Sequence, residues 1–116
     1  MTPLPPALPF LKGTLDVLVL KALSDGAMHG FAITRWLGEQ SGAALSLEEA
    51  AVYQSLYRLE ARGLVRASWG VSEKGRRARF YRLTAKGRAE LDREVDVWRQ
   101  YASVVSGILE SGGGGR

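Results

Sequence analysis

No cysteine occurs among the 116 residues. That excludes a disulfide framework, a thiolate metal site and a thiol nucleophile, and it suits a reducing compartment. Histidine occurs once, as His29. A lone imidazole supplies neither a metal-ligand cluster nor a triad of nucleophile, base and orienting group, so no metal, cofactor or enzyme reaction is expected. His29 is expected at the start of a helix, bonded to backbone. Long apolar runs are also missing. The longest strongly apolar stretch is Val17 to Leu20, far below the roughly 20 residues of a membrane span. Met1 to Pro9 has neither the basic segment nor the apolar core of a secretion signal. A cytoplasmic protein without membrane contact is expected. Proline is confined to Pro3, Pro5, Pro6 and Pro9. Residues 1–10 therefore read as a flexible arm, and the Gly-rich residues 111–116 as a disordered tail.

Charge is unevenly spread. The chain carries a net +4, yet from Arg58 to Arg88 ten Lys or Arg face only two acids, Glu60 and Glu73. The remainder holds six basic and ten acidic residues and is acidic. A basic segment on a mildly acidic body is the electrostatic footprint of a polyanion binder, although a charge run alone equally describes a solvated face.

Periodicity divides the chain into elements. A first helix is expected from about Leu11 to Ser24, with Leu11, Leu15, Leu18 and Ala22 on one stripe and Val17, Leu20 and Leu23 on another. A short helix apolar on two faces needs two covers, its own domain and a partner subunit. Asp25-Gly26 ends it, and a second helix fits Gly30 to Gln40 before Ser41-Gly42. Ser46-Leu47-Glu48-Glu49 has capping-box spacing, which predicts a third helix capped by Ser46 with Glu49 reaching back. Val52, Leu56 and Leu59 fall within about 60° of one another on it, and Gly63 stops it. Its opposite face carries Ala50, Gln54, Tyr57 and Ala61, with Ala51 and Arg58 alongside. That face is small and polar, with no acid at its centre, and suits a crowded, negatively charged groove.

Leu64 to Trp69 and Arg79 to Leu83 read as strands. Gly70 to Ala78 joins them and holds Lys74, Arg76 and Arg77, so the pair forms a hairpin with a charged tip. Thr84 is expected to cap a last helix from about Ala85 to Leu109. Leu91, Val95, Trp98, Ala102, Val105 and Leu109 are spaced 4, 3, 4, 3 and 4 along it, a heptad seam. Val97, Tyr101, Val104 and Ile108 form a neighbouring stripe. One small domain cannot cover roughly 36 Å of helix, so a second copy of the chain is the expected cover. The order predicts an α+β fold, mainly α with a small β-hairpin wing. It is a winged helix-turn-helix over residues 11–84 with a long C-terminal dimerisation helix over 85–110. In that arrangement the third helix enters the major groove of DNA, about 12 Å wide, and the wing lies along the backbone.

Several stretches carry a more specific likeness. They are Leu11 to Asp16, Met28 to Phe31, Tyr53 to Val65, Trp69 to Glu73 and Arg76 to Arg88. Together they resemble the PadR family of transcriptional regulators, in order and without large gaps. The resemblance implies a winged helix-turn-helix, a dimer built largely from the first and last helices, and usually repression. The short final helix resembles the subclass of small members. One region departs. Where the family commonly has a glycine, a Ser or Thr, a leucine and then Tyr-Pro-Ala, this chain reads Ala50, Ala51, Val52, Tyr53, Gln54, Ser55.

Site candidates follow. Tyr53 and Tyr57 offer hydroxyls to phosphates. Tyr53 equally suits packing on the core, and the resemblance favours the phosphate role. Gln54 has the geometry to pair bidentately with adenine N6 and N7, or it is a neutral exposed residue. Arg58 reaches phosphate or guanine, or is merely solvated, with phosphate preferred. Arg76, Arg77 and Arg79 are the expected wing contacts, with Lys74 behind them, while Arg62 and Arg66 as easily pair with local acids. Leu15, Leu18 and the 91–109 seam are the expected dimer residues. Trp98, at mid-seam, is either core or the wall of a pocket for a small planar aromatic effector. The expected function is a sequence-specific repressor acting on a pseudo-palindromic operator in double-stranded DNA. A non-specific architectural DNA binder and a protein-interaction module on the same scaffold are the alternatives.

Overall fold

A computed structural model describes residues 13–45 and 47–114. The elements are α1 (Thr14–Ala22), β1 (Met28–His29), α2 (Gly30–Gln40), α3 (Glu49–Ala61), β2 (Val65–Val71), β3 (Arg77–Leu83) and α4 (Ala85–Leu109). The expected architecture is present: three helices, a hairpin and a long last helix. The proline arm and Leu11 lie outside the described residues.

The core gathers one face of each element. Val19, Leu20 and Leu23 meet Ile33 and Leu37 of α2, and Val52, Leu56 and Leu59 of α3. Leu64, Val65, Tyr81 and Leu91 close it from the hairpin side. The three α3 residues share one helical face, as their spacing requires. α1 ends at Ala22, two residues earlier than expected, because Leu23 and Ser24 turn back onto the Leu20 and Lys21 carbonyls. His29 caps α2: its Nδ1 accepts from the Ala32 amide at 3.2 Å.

Three further features differ from the sequence expectation. β1 is an additional strand. It pairs Met28 with Tyr81 and His29 with Phe80, giving a three-stranded antiparallel sheet in the order β1-β3-β2. Two residues are too few to show alternation. α3 begins at Glu49, with Glu48 as an extended N-cap that makes no side-chain cap bond. Ser46 lies outside the described residues, and Glu49, as the first helical residue, is not at the N3 position a capping box needs. The apolar residues explain the later start. Leu47 packs on the core and Val52 is buried, and they hold the N′ and N4 positions of a hydrophobic staple. The strands also run further than expected, in continuous register from Val65↔Leu83 to Val71↔Arg77. Gly70 continues the ladder because the Phe80 ring lies over it, where a Cβ would stand 2.9 Å from Phe80 Cδ1.

The junction of α3, β2 and α4 is tightly made. Gly63, at φ +74°, turns the chain out of α3, and the Leu64 amide reaches back to the Leu59 carbonyl at 2.9 Å, a Schellman ending. Thr84 Oγ1 donates to the Gly63 carbonyl at 2.7 Å and accepts from the Gly87 amide at 3.0 Å. The Thr84 amide donates to the Leu64 carbonyl. A Cβ on Gly87 would overlap that same carbonyl oxygen. Only a glycine lets the first turn of α4 lie against this backbone. Glu90 then takes Arg62 of the α3 end at 3.3 Å and Arg93 at 2.6 Å, and the Arg93 bond holds its carboxyl below the usual range.

Past Leu91 and Val95, α4 leaves the body. Val97, Trp98, Tyr101, Val104, Ile108 and Leu109 are exposed in the single chain.

Gly87→Ala is expected to destabilise the fold by about 1–3 kcal/mol, the usual cost of overpacking a rigid contact. Gly107→Ala, on the same helix with nothing within 4 Å, should gain up to about 1 kcal/mol from helix propensity. Thermal melts of the two variants should therefore move in opposite directions.

Candidate nucleic-acid interface

The exposed face of α3 is formed by Ala50, Gln54, Tyr57 and Ala61. Tyr57 is 64% exposed, so its hydroxyl is open to a partner. Tyr53 is half-buried and packs on the core. Its ring lies so close to α2 that a Cβ on Gly30 would stand 2.8 Å from the phenol oxygen. Burial, with Glu49 nearby, raises the pKa of this phenol, so it stays a neutral hydrogen-bonding group at any ordinary pH. Gly30 thus allows α2 and α3 to meet and fixes the Tyr53 ring at the edge of the exposed face.

Arg58 sits on the other shoulder, near α1. Its Nη2 and Nε donate to the two carboxylate oxygens of Asp16 at 2.6 and 3.2 Å. Asp16 Oδ1 also accepts from Ser55 Oγ at 2.6 Å, and Ser55 is fully buried. Asp16 and Arg58 are 42 residues apart in the chain.

Alternation in the wing sorts its side chains onto two faces. One carries Trp69 opposite Arg79 and Val71 opposite Arg77. The Arg77 guanidinium lies 4.2 Å from the Trp69 ring centroid, a cation–π contact worth about 0.5–1 kcal/mol at an exposed site. Arg79 Nη2 is 3.0 Å from Glu60 of α3 and its guanidinium lies 5.8 Å from the Tyr81 ring centroid. This bridge ties the wing root to α3. The tip spans Ser72 to Arg76 and exposes Lys74 and Arg76. It is closed by Ser72 N–H to the Arg76 carbonyl at 2.7 Å and Gly75 N–H to the Ser72 carbonyl at 2.9 Å. Gly75 has φ +74°, which a residue with a side chain adopts only under strain.

The structure therefore brings Gln54, Tyr57 and Arg58 together on α3 and places Lys74 and Arg76 at the wing tip, with Arg77 and Arg79 on one sheet face. Arg62 pairs with Glu90, as the local-acid alternative had it. Arg66 stands directly across the sheet from Arg82, a like-charge pairing that costs stability unless an anion lies between them. Sequence reasoning missed Trp69, 61% exposed, Asp16 and Glu60. Trp69 was within reach, since extending the alternation through Gly70 puts it on the Arg77 face. Trp98 is 46% exposed.

Comparison with known proteins agrees with this geometry. The transcriptional regulator PadR-like family matches residues 19–93. An uncharacterized 37.1 kDa protein in transposon TN4556 of Streptomyces fradiae is 45% identical over 80 residues, 69% of this chain. The chain spans 21% of that protein's length. A PadR family transcription regulator from Clostridium difficile is 26% identical, with a TM-score of 0.74 over 84% of this chain and 99% of its own. Bacillus subtilis PadR in complex with operator DNA is 24% identical, with a TM-score of 0.63 over 71% of this chain and 46% of its own. The chain, with its three-helix body, basic wing and long last helix, belongs to the PadR-like family of transcriptional regulators, DNA-binding proteins and not enzymes.

Proposed function

We propose that the chain is a sequence-specific repressor that works in the cytoplasm as a homodimer on a pseudo-palindromic operator. The observation that carries this reading is the exposed, acid-poor face of α3, held beside a basic wing by the Glu60–Arg79 bridge. The operator complex of Bacillus subtilis PadR supports the same mode of action. In this reading α3 lies in the major groove. Gln54 reads adenine, and Tyr53, Tyr57 and Arg58 contact phosphates. Lys74, Arg76 and Arg77 hold the backbone along the wing, and Arg79, expected from sequence beside them, adds its charge from the wing root while bridged to Glu60. Phosphate contacts fix register, and base contacts supply the discrimination.

The wing contribution is electrostatic. Changing Arg76 and Arg77 together to Ala should weaken binding to every duplex alike and lower the salt slope by about 0.9 for each phosphate that is no longer neutralised. Unchanged affinity and slope would remove the wing from the mechanism. For the intact protein, a selected genomic fragment should bind about 10³-fold or more tighter than scrambled DNA. A ratio near one would favour the architectural binder, and no binding at all would favour the protein-interaction module.

The dimer uses Leu15 and Leu18 of α1 and Val95, Trp98, Ala102, Val105 and Leu109 of α4, whereas Leu91, the first residue of the expected seam, is taken up by the protomer's own core. The support is the run of apolar side chains left uncovered beyond Val95. Sedimentation should give a dimer for the intact chain and a monomer with reduced DNA affinity for Val105→Asp. A folded monomer from the intact chain would end this reading.

Trp98 lies at mid-seam, where its indole would face its own copy and leave a gap or splay the helices. A small planar aromatic effector seated there would alter the separation of the two α3 helices, whose half-sites lie about 34–36 Å apart in dimeric readers of this kind. In a Trp36→Phe, Trp69→Phe background, planar aromatics should quench Trp98 and weaken DNA binding together, by a coupling of about 1–3 kcal/mol. Quenching without a change in DNA affinity would leave Trp98 as packing alone.

A further inference from the structure

We propose that Asp16 is an internal stand-in for a DNA phosphate: it holds Arg58 on α1 until a backbone phosphate in the right register takes its place. This rests on the DNA-binding reading of α3 above.

The geometry of the pair is that of phosphate recognition. Nη2 and Nε of Arg58 engage both oxygens of one carboxylate, at 2.6 and 3.2 Å, and Arg makes the same two-pronged contact with phosphate. Both partners are reachable. The side chain of Arg58 is 53% exposed and that of Asp16 22%. Exposed ion pairs are individually weak, so a phosphate of equal charge and similar shape competes on near-equal terms.

The carboxylate is also equipped to be left alone. Asp16 lies in the first turn of α1, where the helix dipole favours a negative charge. Ser55 Oγ, buried and 2.6 Å away, keeps donating to it after Arg58 departs. Neither state strands a buried charge, so the guanidinium has two comparable seats about one side-chain swing apart. The consequence is selectivity. On DNA lying out of register, Arg58 stays with Asp16 and the pair, neutral as a whole, adds no attraction. On DNA in register it changes partner. Asp16 thus suppresses sequence-independent binding more than operator binding, and it acts by positioning Arg58 rather than by touching DNA.

The test uses the full chain and a mixed-sequence duplex of about 30 base pairs, long enough to span both half-sites, with affinity measured across a salt series and thermal melts alongside. Asp16→Asn keeps an acceptor for Ser55 while releasing Arg58. It should bind the duplex about threefold to tenfold more tightly than wild type at low salt, with a salt slope steeper by about one. In an Arg58→Ala background the same change should leave the slope where it was. Glu48→Gln, which removes an exposed acid at the α3 N-cap, calibrates the general gain from losing a negative charge. Equal gains from Asp16→Asn with and without Arg58, or an unchanged slope, would overturn the proposal. If Asp16→Asn fails to fold, the Asp16→Ala, Ser55→Ala pair, which removes both ends of the buried bond, replaces it with the same outcomes. Wild type that binds no duplex at any salt would instead defeat the DNA-binding reading itself.

Discussion

The α-carbon of Gly87 rests against the carbonyl oxygen of Leu64 with no room for another atom, and the arrangement of the molecule follows from that contact. The same carbonyl receives the Thr84 amide, and Thr84 closes the first turn of α4 while holding Gly63. Three elements therefore share one short stretch of backbone: the end of α3, the start of β2 and the start of α4. The direction in which α4 leaves the body is set at the point where α3 ends. A dimer assembled through α4 would for that reason carry its reading helices at a defined separation, without any long lever of flexible chain between them.

The basic segment that gives the chain its electrostatic character is partly used within the molecule. Arg58 is held by Asp16, Arg62 by Glu90 and Arg79 by Glu60. Lys86 and Arg88 donate to the Arg62 and Ser24 carbonyls. Among the described residues of that segment this leaves Arg66, Lys74, Arg76, Arg77 and Arg82 with neither an acidic nor a carbonyl partner for the side chain, and all of them are on the hairpin. The internal bridges are largely exposed and add little stability one by one. Their value is orientation, since each joins two elements that local sequence cannot place: α1 to α3, α3 to α4 and α3 to the wing.

Much of this is legible in the residue pattern. The spacing of Val52, Leu56 and Leu59 defines the inner face of α3 and thereby its outer face, and Thr84 with the long apolar seam defines α4. What stays hidden is non-local. β1 exists only because Met28 and His29 find Tyr81 and Phe80 across about 50 residues of chain. The start of α3 is ambiguous because a polar capping pattern competes with an apolar one, and Leu47 entering the core decides the matter. The hairpin reads too short because Gly70 looks like a break until the Phe80 ring is seen to cover it. For the site, residue types announce the wing cations and Gln54, but nothing in sequence pairs Arg58 with Asp16 or makes Tyr53 lean on Gly30.

The wing tip has one more property. Lys74, Arg76 and Arg77 follow one another at an exposed turn, and exposed loop tips are where proteases nick folded chains most readily. Trypsin-like enzymes cut after these residue types, so the end of the hairpin offers them exposed bonds. A single cut there would leave β2 and β3 held together by the ladder from Val65↔Leu83 to Val71↔Arg77, with the core untouched. A nick there would thus open the chain at its basic tip without unfolding it, and a nucleic acid seated on the wing would shield the bonds at risk.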